Sequence, residues 1–329
     1  MIYYLLYSFH DYLSPLNVVR YITFRTACAS LTALIISLFL GPFVIRKLRE
    51  FQIEQFIRRE GPSSHQVKAG TPTMGGLLII ISIVLPTLLW ANLANLYVWI
   101  AVISLIVYGA IGFLDDFLKV SRRQSLGLRA HQKFLLQCLV AFGIALTLVV
   151  LNSRQLYSTR LSVPFFKQFT PELDLVILGV STFLPLIIFT VLVVVGSSNA
   201  VNLSDGLDGL ATGLVIIAAS ALTVLTYLTG HAEFATYLDL IKNTYASELT
   251  VFCGSMVGAT LGFLWHNNHP ADIFMGDVGS ESLGGAIGTV AVLIKQELLL
   301  FSIGGIFVLE ILSVILQVGC FKVLGKRLF

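Results

Sequence analysis

Adjacent carboxylates at the end of an apolar segment are the first residues whose spacing suggests chemistry. Asp115 and Asp116 follow the apolar run 111–114, and Lys119 comes one helical turn later. Carboxylates this close repel each other, so they favour a divalent cation, a neighbouring lysine or a raised pKa on one partner. The pair therefore predicts a metal site or a general base. The alternative is an interfacial pair that only ends a hydrophobic segment in water.

A second polar cluster occupies residues 198–210, which read SNAVNLSDGLDGL. Asn199, Asn202, Asp205 and Asp208 supply amide donors and oxygen ligands, and the glycines allow close approach of the backbone. This composition is typical of a nucleotide or metal site, although the spacing matches no P-loop, GxGxxG motif or EF-hand. The segment has no lysine or arginine, so positive charge for a phosphate must come from a metal ion or from other loops. A plain turn is the alternative.

A third cluster is the segment WHNNHPADIFMGDVGS at 265–280. Asp277 lies between glycines before a short apolar run, Phe274 offers a ring face for a base, and Asn267 offers an amide for a polar edge. The two histidines of the segment lack a third nearby nitrogen or sulfur ligand, which disfavours zinc. We therefore expect a substrate contact or a structural role for them.

A fourth segment, KAGTPTMGG at 68–76, precedes a hydrophobic run. Lys68, Thr73 and the glycines would let a helix N-terminus approach an anion. Lys133, at the start of another hydrophobic run, is a candidate of the same kind for binding an anion. A lysine before a Pro-Gly helix start is common, so either residue alone has little predictive value. For Glu310, an acid well inside an apolar run, we expect a structural hydrogen bond.

The composition indicates what must position these residues. The chain has 329 residues, 56% of them hydrophobic and 12% charged, with a mean hydropathy of +0.87, whereas soluble domains have about 25% charged residues. Apolar runs recur at the length of a bilayer-spanning helix and are too long and continuous for barrel strands. We predict an all-α polytopic integral membrane protein with a single domain over residues 1–329. The net charge of +3, with no basic tract interleaved with aromatics, disfavours nucleic acid as a partner.

Nine membrane-spanning helices are predicted from the apolar runs. They lie near 26–45, 74–91, 96–114, 134–151, 173–195, 210–228, 249–265, 283–294 and 298–320. The eighth is short, because a helix over 283–294 rises only about 18 Å. We expect it to extend into its flanks, to be partly re-entrant, or to merge with the ninth.

Orientation follows from the distribution of lysine and arginine. The loops at 46–73 and 115–133 and the tail from 321 hold 14 of these residues, and the alternate loops hold seven. Positive residues are retained in the cytoplasm, so the first set is predicted to be cytoplasmic, together with the loops at 196–209 and 266–282, and the N-terminus outside. Acids that could bind Mg²⁺, lysines that could bind phosphates and an aromatic ring that could stack on a base then lie on the same cytoplasmic face. That set favours phosphoryl transfer from a nucleotide-linked donor to a group held by the bilayer.

Four motifs together resemble the polyprenyl-phosphate N-acetylhexosamine-1-phosphate transferases. They are KAGTPTMGG (68–76), IGFLDDFLK (111–119), NAVNLSDGLDGLATG (199–213) and HPADIFMGDVGS (269–280). Within this family they are most similar to enzymes that transfer phospho-N-acetylmuramoyl-pentapeptide. The resemblance implies Mg²⁺-dependent transfer from UDP-MurNAc-pentapeptide to undecaprenyl phosphate in the bacterial inner membrane. The products would be lipid I and UMP, in the first membrane step of peptidoglycan synthesis. A homodimer is also implied by the resemblance.

The resemblance also implies roles for individual residues. Asp277 matches the magnesium-binding aspartate, and Asp115 and Asp116 match a catalytic pair, one of which deprotonates or positions the lipid phosphate. Lys119 and Lys133 match basic residues close to the phosphates. Thr73 lies in a matched motif and is a further substrate-binding candidate. The positions that match the nucleoside and pyrophosphate pocket, with Phe274 stacked on uracil, are Lys68, Asn199, Asn202, Asp205, Gly206, Leu207, Asp208, Asn267 and Phe274.

This sequence departs from the family pattern at a few places. In the family, a basic stretch like 322–327 is followed by a His-rich cytoplasmic loop and a tenth span. The sequence stops at Phe329, and we expect that it is truncated there. Ser204 stands where the family usually has threonine, and Glu281 is an added charge that could change metal affinity.

Two other functions were weighed against this one. The first is a sibling transferase that moves N-acetylglucosamine-1-phosphate from UDP-GlcNAc to the same kind of lipid. The residues of the first and last motifs disfavour this alternative. The second is a transporter or channel. Transport sites usually lie near the bilayer midplane on broken helices, whereas the acids here crowd the predicted cytoplasmic helix ends.

Overall fold

The structure is a computed structural model that describes residues 1–10, 12–51, 71–122, 124, 127–166, 169–177 and 180–325. Lys68 and most of the predicted loop at 46–73 lie outside the described residues, as do residues 326–329. The sequence prediction for Lys68 therefore stays a prediction.

Apolar helices make up most of the described chain. In chain order they are α1 (Ile2–Ser8), α2 (Ile22–Glu50), α3 (Gly76–Trp90), α4 (Leu96–Ser121), α5 (Ala130–Ser153), α6 (Leu184–Ser204), α7 (Leu210–Gly230), α8 (Ala232–Tyr237), α9 (Leu249–Asn267), α10 (Gly276–Leu293), α11 (Leu300–Ile303) and α12 (Gly305–Leu324). Short 3-10 helices cover Ser14–Arg20 and Thr244–Glu248. Within the described residues, seven helices are long and apolar enough to cross a bilayer, and α3 is apolar but shorter. The prediction of an all-α polytopic membrane protein is confirmed.

The predicted span at 173–195 begins too early. In the described part of the chain, β1 (Leu175–Ile177) and β2 (Val180–Thr182) pair antiparallel there, with Ile177 opposite Val180. β-branched residues favour strands, and α6 starts only at Leu184, where Pro185 in the first turn has the fixed φ angle that suits a helix start.

Several predicted cytoplasmic loops are largely helical, which corrects their boundaries. Helix α6 continues to Ser204, so Asn199 and Asn202 are helical and do not lie in a loop at 196–209. Helix α4 likewise continues past the aspartate pair to Ser121. The polar side chains at these helix ends bond to one another inside the bundle, so the helices continue after the apolar runs stop.

The helix at the predicted eighth span starts earlier than residue 283. Helix α10 begins at Gly276 and has 18 residues, so it rises about 27 Å. Every residue from Val278 to Leu293 is buried. Helix α10 stays separate from the segment after it, which Gly304 divides into α11 and α12. Helix α10 packs against α4 and α6, and α9 packs against α2 and α7. The start of α10 is thereby held against the ends of α4 and α6.

The opposite helix ends are joined by a buried ion pair. The two terminal nitrogens of Arg25, near the start of α2, donate to the carboxylate of Glu248 at 2.7 and 2.6 Å. The carbonyl of Trp90 and the backbone N–H of Asn92 complete the network at 3.2 and 2.9 Å. The guanidinium carbon also lies 4.5 Å from the centre of the Tyr3 ring. This pair ties α1, α2 and the end of α3 to the start of α9.

We expect Arg25→Ala to lower the free energy of unfolding by about 3–5 kcal/mol, because it leaves the buried Glu248 carboxylate without its partner. The measurement is unfolding of the purified chain in mixed detergent micelles. Glu172→Gln is the matched control, since it breaks the Arg160–Glu172 pair, whose side chains are more than half exposed; it should change stability by less than about 1 kcal/mol. Equal effects of the two variants would contradict the structural role of Arg25.

Candidate active site

Carboxylates from distant parts of the chain converge at one end of the bundle. Asp115 and Asp116 lie near the end of α4, and Asp277 lies in the first turn of α10. One carboxylate oxygen from each lies within 4.8 Å of the others. The first two residues are buried and Asp277 is half-buried. The structure therefore brings together the three acids that the sequence singled out.

Glycines allow the close packing that sets this geometry. A Cβ atom at Gly112, on α4, would overlap the backbone carbonyl of Asp277. Gly276 has a φ angle of +70°, which favours glycine. A Cβ there would crowd the side chains of Thr73 and Asp116. Helix α10 can therefore start directly against the aspartate pair only because these positions lack side chains.

Two lysines balance the negative charge of the cluster. The ammonium of Lys119 lies 2.6 Å from Asp115 Oδ2, 3.3 Å from Asp116 Oδ1 and 2.8 Å from Asp277 Oδ2. The ammonium of Lys133, on α5, lies 2.9 Å from the same Asp277 oxygen. Charge-assisted contacts of this length are strong. Both lysines that the sequence assigned to phosphates thus adjoin the acids.

Amide groups line the same cluster. Asn202 Nδ2 donates to Asp277 Oδ1 and to Ser280 Oγ, both at 2.9 Å. Asn199, one turn earlier on α6, donates to Gln137 Oε1 at 2.7 Å. Asn202 therefore contacts the acids directly, and Asn199 contacts the neighbouring helix α5.

The connection after α6 places another acid beside the cluster. Burial, together with the negative charges of Asp277 and Asp116, raises the pKa of Asp205 to about 7, although a hydrogen bond from the Gly276 backbone acts in the opposite direction. Asp205 therefore holds a proton more readily than an exposed carboxyl group does. In the same connection Gly206 and Leu207 are exposed. Asp208 Oδ2 lies 3.0 Å from His269 Nδ1.

Asn267 forms hydrogen bonds within the chain. It is buried, and its Oδ1 accepts hydrogen bonds from Gly209 N at 3.1 Å and Thr212 Oγ1 at 2.8 Å. Its Nδ2 donates to Ile273 O at 2.9 Å. The Asn267 amide therefore joins the loop after α6 to the loop before α10. The pattern of polar residues in the sequence does not distinguish such a link from a substrate contact.

The described part of the first motif lies next to the start of α10. Backbone hydrogen bonds of 2.9 Å join residues 72–76 to residues 274–275. They place Thr73, which is buried, and Phe274, which is half-buried, beside the acidic cluster. The segment that contains these residues therefore forms one wall of the site.

Comparison with known proteins shows the family of this chain. Residues 98–295 match the model of glycosyl transferase family 4, and residues 68–80 match signature 1 of phospho-N-acetylmuramoyl-pentapeptide-transferase. Three relatives are phospho-N-acetylmuramoyl-pentapeptide-transferases, from Koribacter versatilis, Solibacter usitatus and Acidobacterium capsulatum. They are 58%, 59% and 59% identical to this chain, respectively. Each match covers 100% of this chain and 89% of the relative. The chain belongs to the phospho-N-acetylmuramoyl-pentapeptide-transferase family. The resemblance based on four motifs is confirmed, and the chain is a phosphotransferase of the membrane.

The sequence analysis gave Glu281 only as an added charge near the predicted metal site, and it did not identify Gln137. Glu281, on α10, forms an ion pair with Lys133. Gln137 contacts Asn199 and lies beside Glu281. Each follows an assigned residue by four positions, Glu281 after Asp277 and Gln137 after Lys133. That spacing puts both pairs on one helix face, and this signal was available in the sequence.

We expect Gly112→Ala to slow the transferase by about 100-fold, because the added methyl group pushes Asp277 away from the aspartate pair and small misplacements of reacting groups are this costly. The variant leaves the chemical identity of every polar residue of the site unchanged. The measurement is the transfer rate of the folded, purified variant. Gly143→Ala is the control, since its Cβ would meet nothing within 4 Å. Full activity of folded Gly112→Ala would show that this helix contact does not set the geometry.

Proposed function

We propose that the chain transfers phospho-N-acetylmuramoyl-pentapeptide from its UDP conjugate to undecaprenyl phosphate, releasing UMP and forming lipid I in the bacterial inner membrane. The observation that carries the proposal is the convergence of Asp115, Asp116 and Asp277 with Lys119 and Lys133 at one end of an apolar bundle. Phosphoryl transfer requires mainly positioning and charge stabilisation, and this cluster offers both. The family relatives carry the muramoyl donor in their name.

The acidic cluster suits Mg²⁺ as the cofactor. Carboxylate oxygens are the ligands that Mg²⁺ prefers, usually one or two of them together with water and substrate phosphates. Asp277 would hold the ion, with Asp115 and Asp116 within the same 4.8 Å. When bound, the ion would withdraw negative charge from the donor pyrophosphate.

The lysines and the aspartate pair have separate tasks in this proposal. Lys119 and Lys133 would stabilise the charge that develops on the phosphates as the bond to UMP breaks. The aspartate pair would orient the lipid phosphate, or remove its proton, so that one of its oxygens attacks in line. A bond then forms from that oxygen to the sugar-linked phosphorus. The bond between the two phosphates of the donor breaks, and its electrons leave with UMP.

A cavity supports the assignment of a lipid acceptor. It has a volume of about 320 Å³ and lies between α6, α10, α11 and α12. Its lining is largely apolar and includes Leu192, Ala200, Ile287, Phe301 and Phe307. Helix α6 runs from this lining to the amides at its end, beside the acids. A polyprenyl chain that extended from this cavity along α6 would bring its phosphate toward the cluster.

We expect Asp277→Asn to abolish Mg²⁺-dependent UMP release, because the amide keeps the shape but loses the charge that would hold the ion. The assay uses the chain purified in detergent, with undecaprenyl phosphate, a Mg²⁺ titration, and either UDP-MurNAc-pentapeptide or UDP-GlcNAc. Unchanged activity in a folded variant would overturn the metal assignment. If the unmodified chain releases UMP from UDP-GlcNAc but not from UDP-MurNAc-pentapeptide, the sibling transferase is favoured.

We expect Phe274→Ala to raise the KM for the UDP donor by about tenfold, because stacking on a base contributes about 1–3 kcal/mol, with a smaller change in the KM for undecaprenyl phosphate. Phe301→Ala is the matched control, because Phe301 lines the apolar cavity and should affect the lipid KM instead. Steady-state kinetics with each substrate varied in turn gives both values. The reverse pattern would remove Phe274 from the nucleotide pocket.

A further inference from the structure

A buried carboxylate adjoins the cluster without a role in the proposal above. Glu281 lies on α10 one turn after Asp277 and is 0% exposed. It forms an ion pair with Lys133, whose ammonium also lies 2.9 Å from Asp277 Oδ2. Lys133 is therefore shared between two acids on the same face of α10.

A charge at this position is costly to the fold. From Val278 to Leu293 every residue of α10 is buried, and Glu281 is the ionisable residue among them. Replacing a buried ion pair by well-packed apolar residues is often neutral or stabilising. Stability alone therefore does not explain the presence of a carboxylate here.

The charges around Asp277 suggest an explanation. The ammonium groups of Lys119 and Lys133 lie 2.8 and 2.9 Å from the same Asp277 oxygen. A divalent cation at Asp277 would repel both of them. Lys119 has alternative partners in the aspartate pair. For Lys133, the alternative acid among the described residues is Glu281.

We propose that Glu281 is a positioning residue for the metal site: it accepts Lys133 when a divalent cation binds to Asp277, so that the Asp277 carboxylate becomes free without leaving the half-buried Lys133 ammonium unpaired. The inference rests on the proposed function, because it requires the acidic cluster to bind a divalent cation. The Glu281 charge also makes the surroundings of that cation more negative. Both effects strengthen cation binding.

The test is Mn²⁺ binding to the purified full chain, followed by electron paramagnetic resonance without substrates. We expect Glu281→Gln, which is nearly isosteric, to weaken Mn²⁺ binding about tenfold. The variant removes a negative charge whose attraction for the nearby cation is only partly screened. Glu281→Asp keeps the charge and should retain most of the affinity. In steady-state assays Glu281→Gln should raise the Mg²⁺ concentration for half-maximal rate about tenfold, with kcat at saturating Mg²⁺ nearly unchanged.

A second variant should have the opposite effect. Lys133→Met removes the ammonium that competes for Asp277, so it should bind Mn²⁺ more tightly than the unmodified chain. This result does not depend on whether Glu281→Gln folds. Equal or weaker binding by folded Lys133→Met would overturn the proposal.

Glu310→Gln is the matched control. Glu310 lies on α12, and its Oε2 is a buried oxygen without a hydrogen-bond partner among the described residues. This variant should bind Mn²⁺ like the unmodified chain. If Glu281→Gln lowers the unfolding temperature but binds Mn²⁺ normally, Glu281 is only structural. The inference about Glu281 then fails, while the metal assignment stands. If the unmodified chain binds no Mn²⁺, both the metal assignment and the inference fail.

Discussion

The mutual repulsion of three carboxylates is the constraint on which the rest of the structure depends. One carboxylate oxygen from each of Asp115, Asp116 and Asp277 lies within 4.8 Å of the others, and the ammonium groups of Lys119 and Lys133 offset their repulsion. The partners come from α4, α5 and α10, and an amide from α6 completes the contacts. The relative positions of these four helices are therefore tied to one charge balance, at the end of a bundle whose interior is otherwise largely apolar.

Other buried charges in the described chain are closed pairs, and the comparison shows what is special about the cluster. The Arg25–Glu248 side chains are 3% and 9% exposed. Lys295 and Glu297 are each 1% exposed, and Lys295 Nζ also lies 3.1 Å from Tyr157 OH. In the cluster, by contrast, Lys119 and Asp277 are 29% and 20% exposed. The closed pairs are shielded from solvent, whereas the cluster is partly open to solvent.

Close helix packing links the fold to the site. Helix α10 is buried along its length and lies against α4 at Gly112, so the distance between the aspartate pair and Asp277 is set by backbone contact. Rigid helices hold reacting groups more accurately than loops do. The acids lie on helix ends, whereas the more exposed loop at 205–209 contains positions that the resemblance places in the nucleotide pocket.

The sequence alone determined the membrane class, the polar motifs and the three acids, because hydropathy and residue type are local properties and alternating spans bring the motifs to one face. Tertiary structure decided where helices end, since α6 continues through Asn199 and Asn202 to Ser204. It also decided that Asn267 joins two loops and that Glu281 shares Lys133 with Asp277. These outcomes depend on contacts between residues far apart in the chain, and helix packing, which no local pattern specifies, creates those contacts.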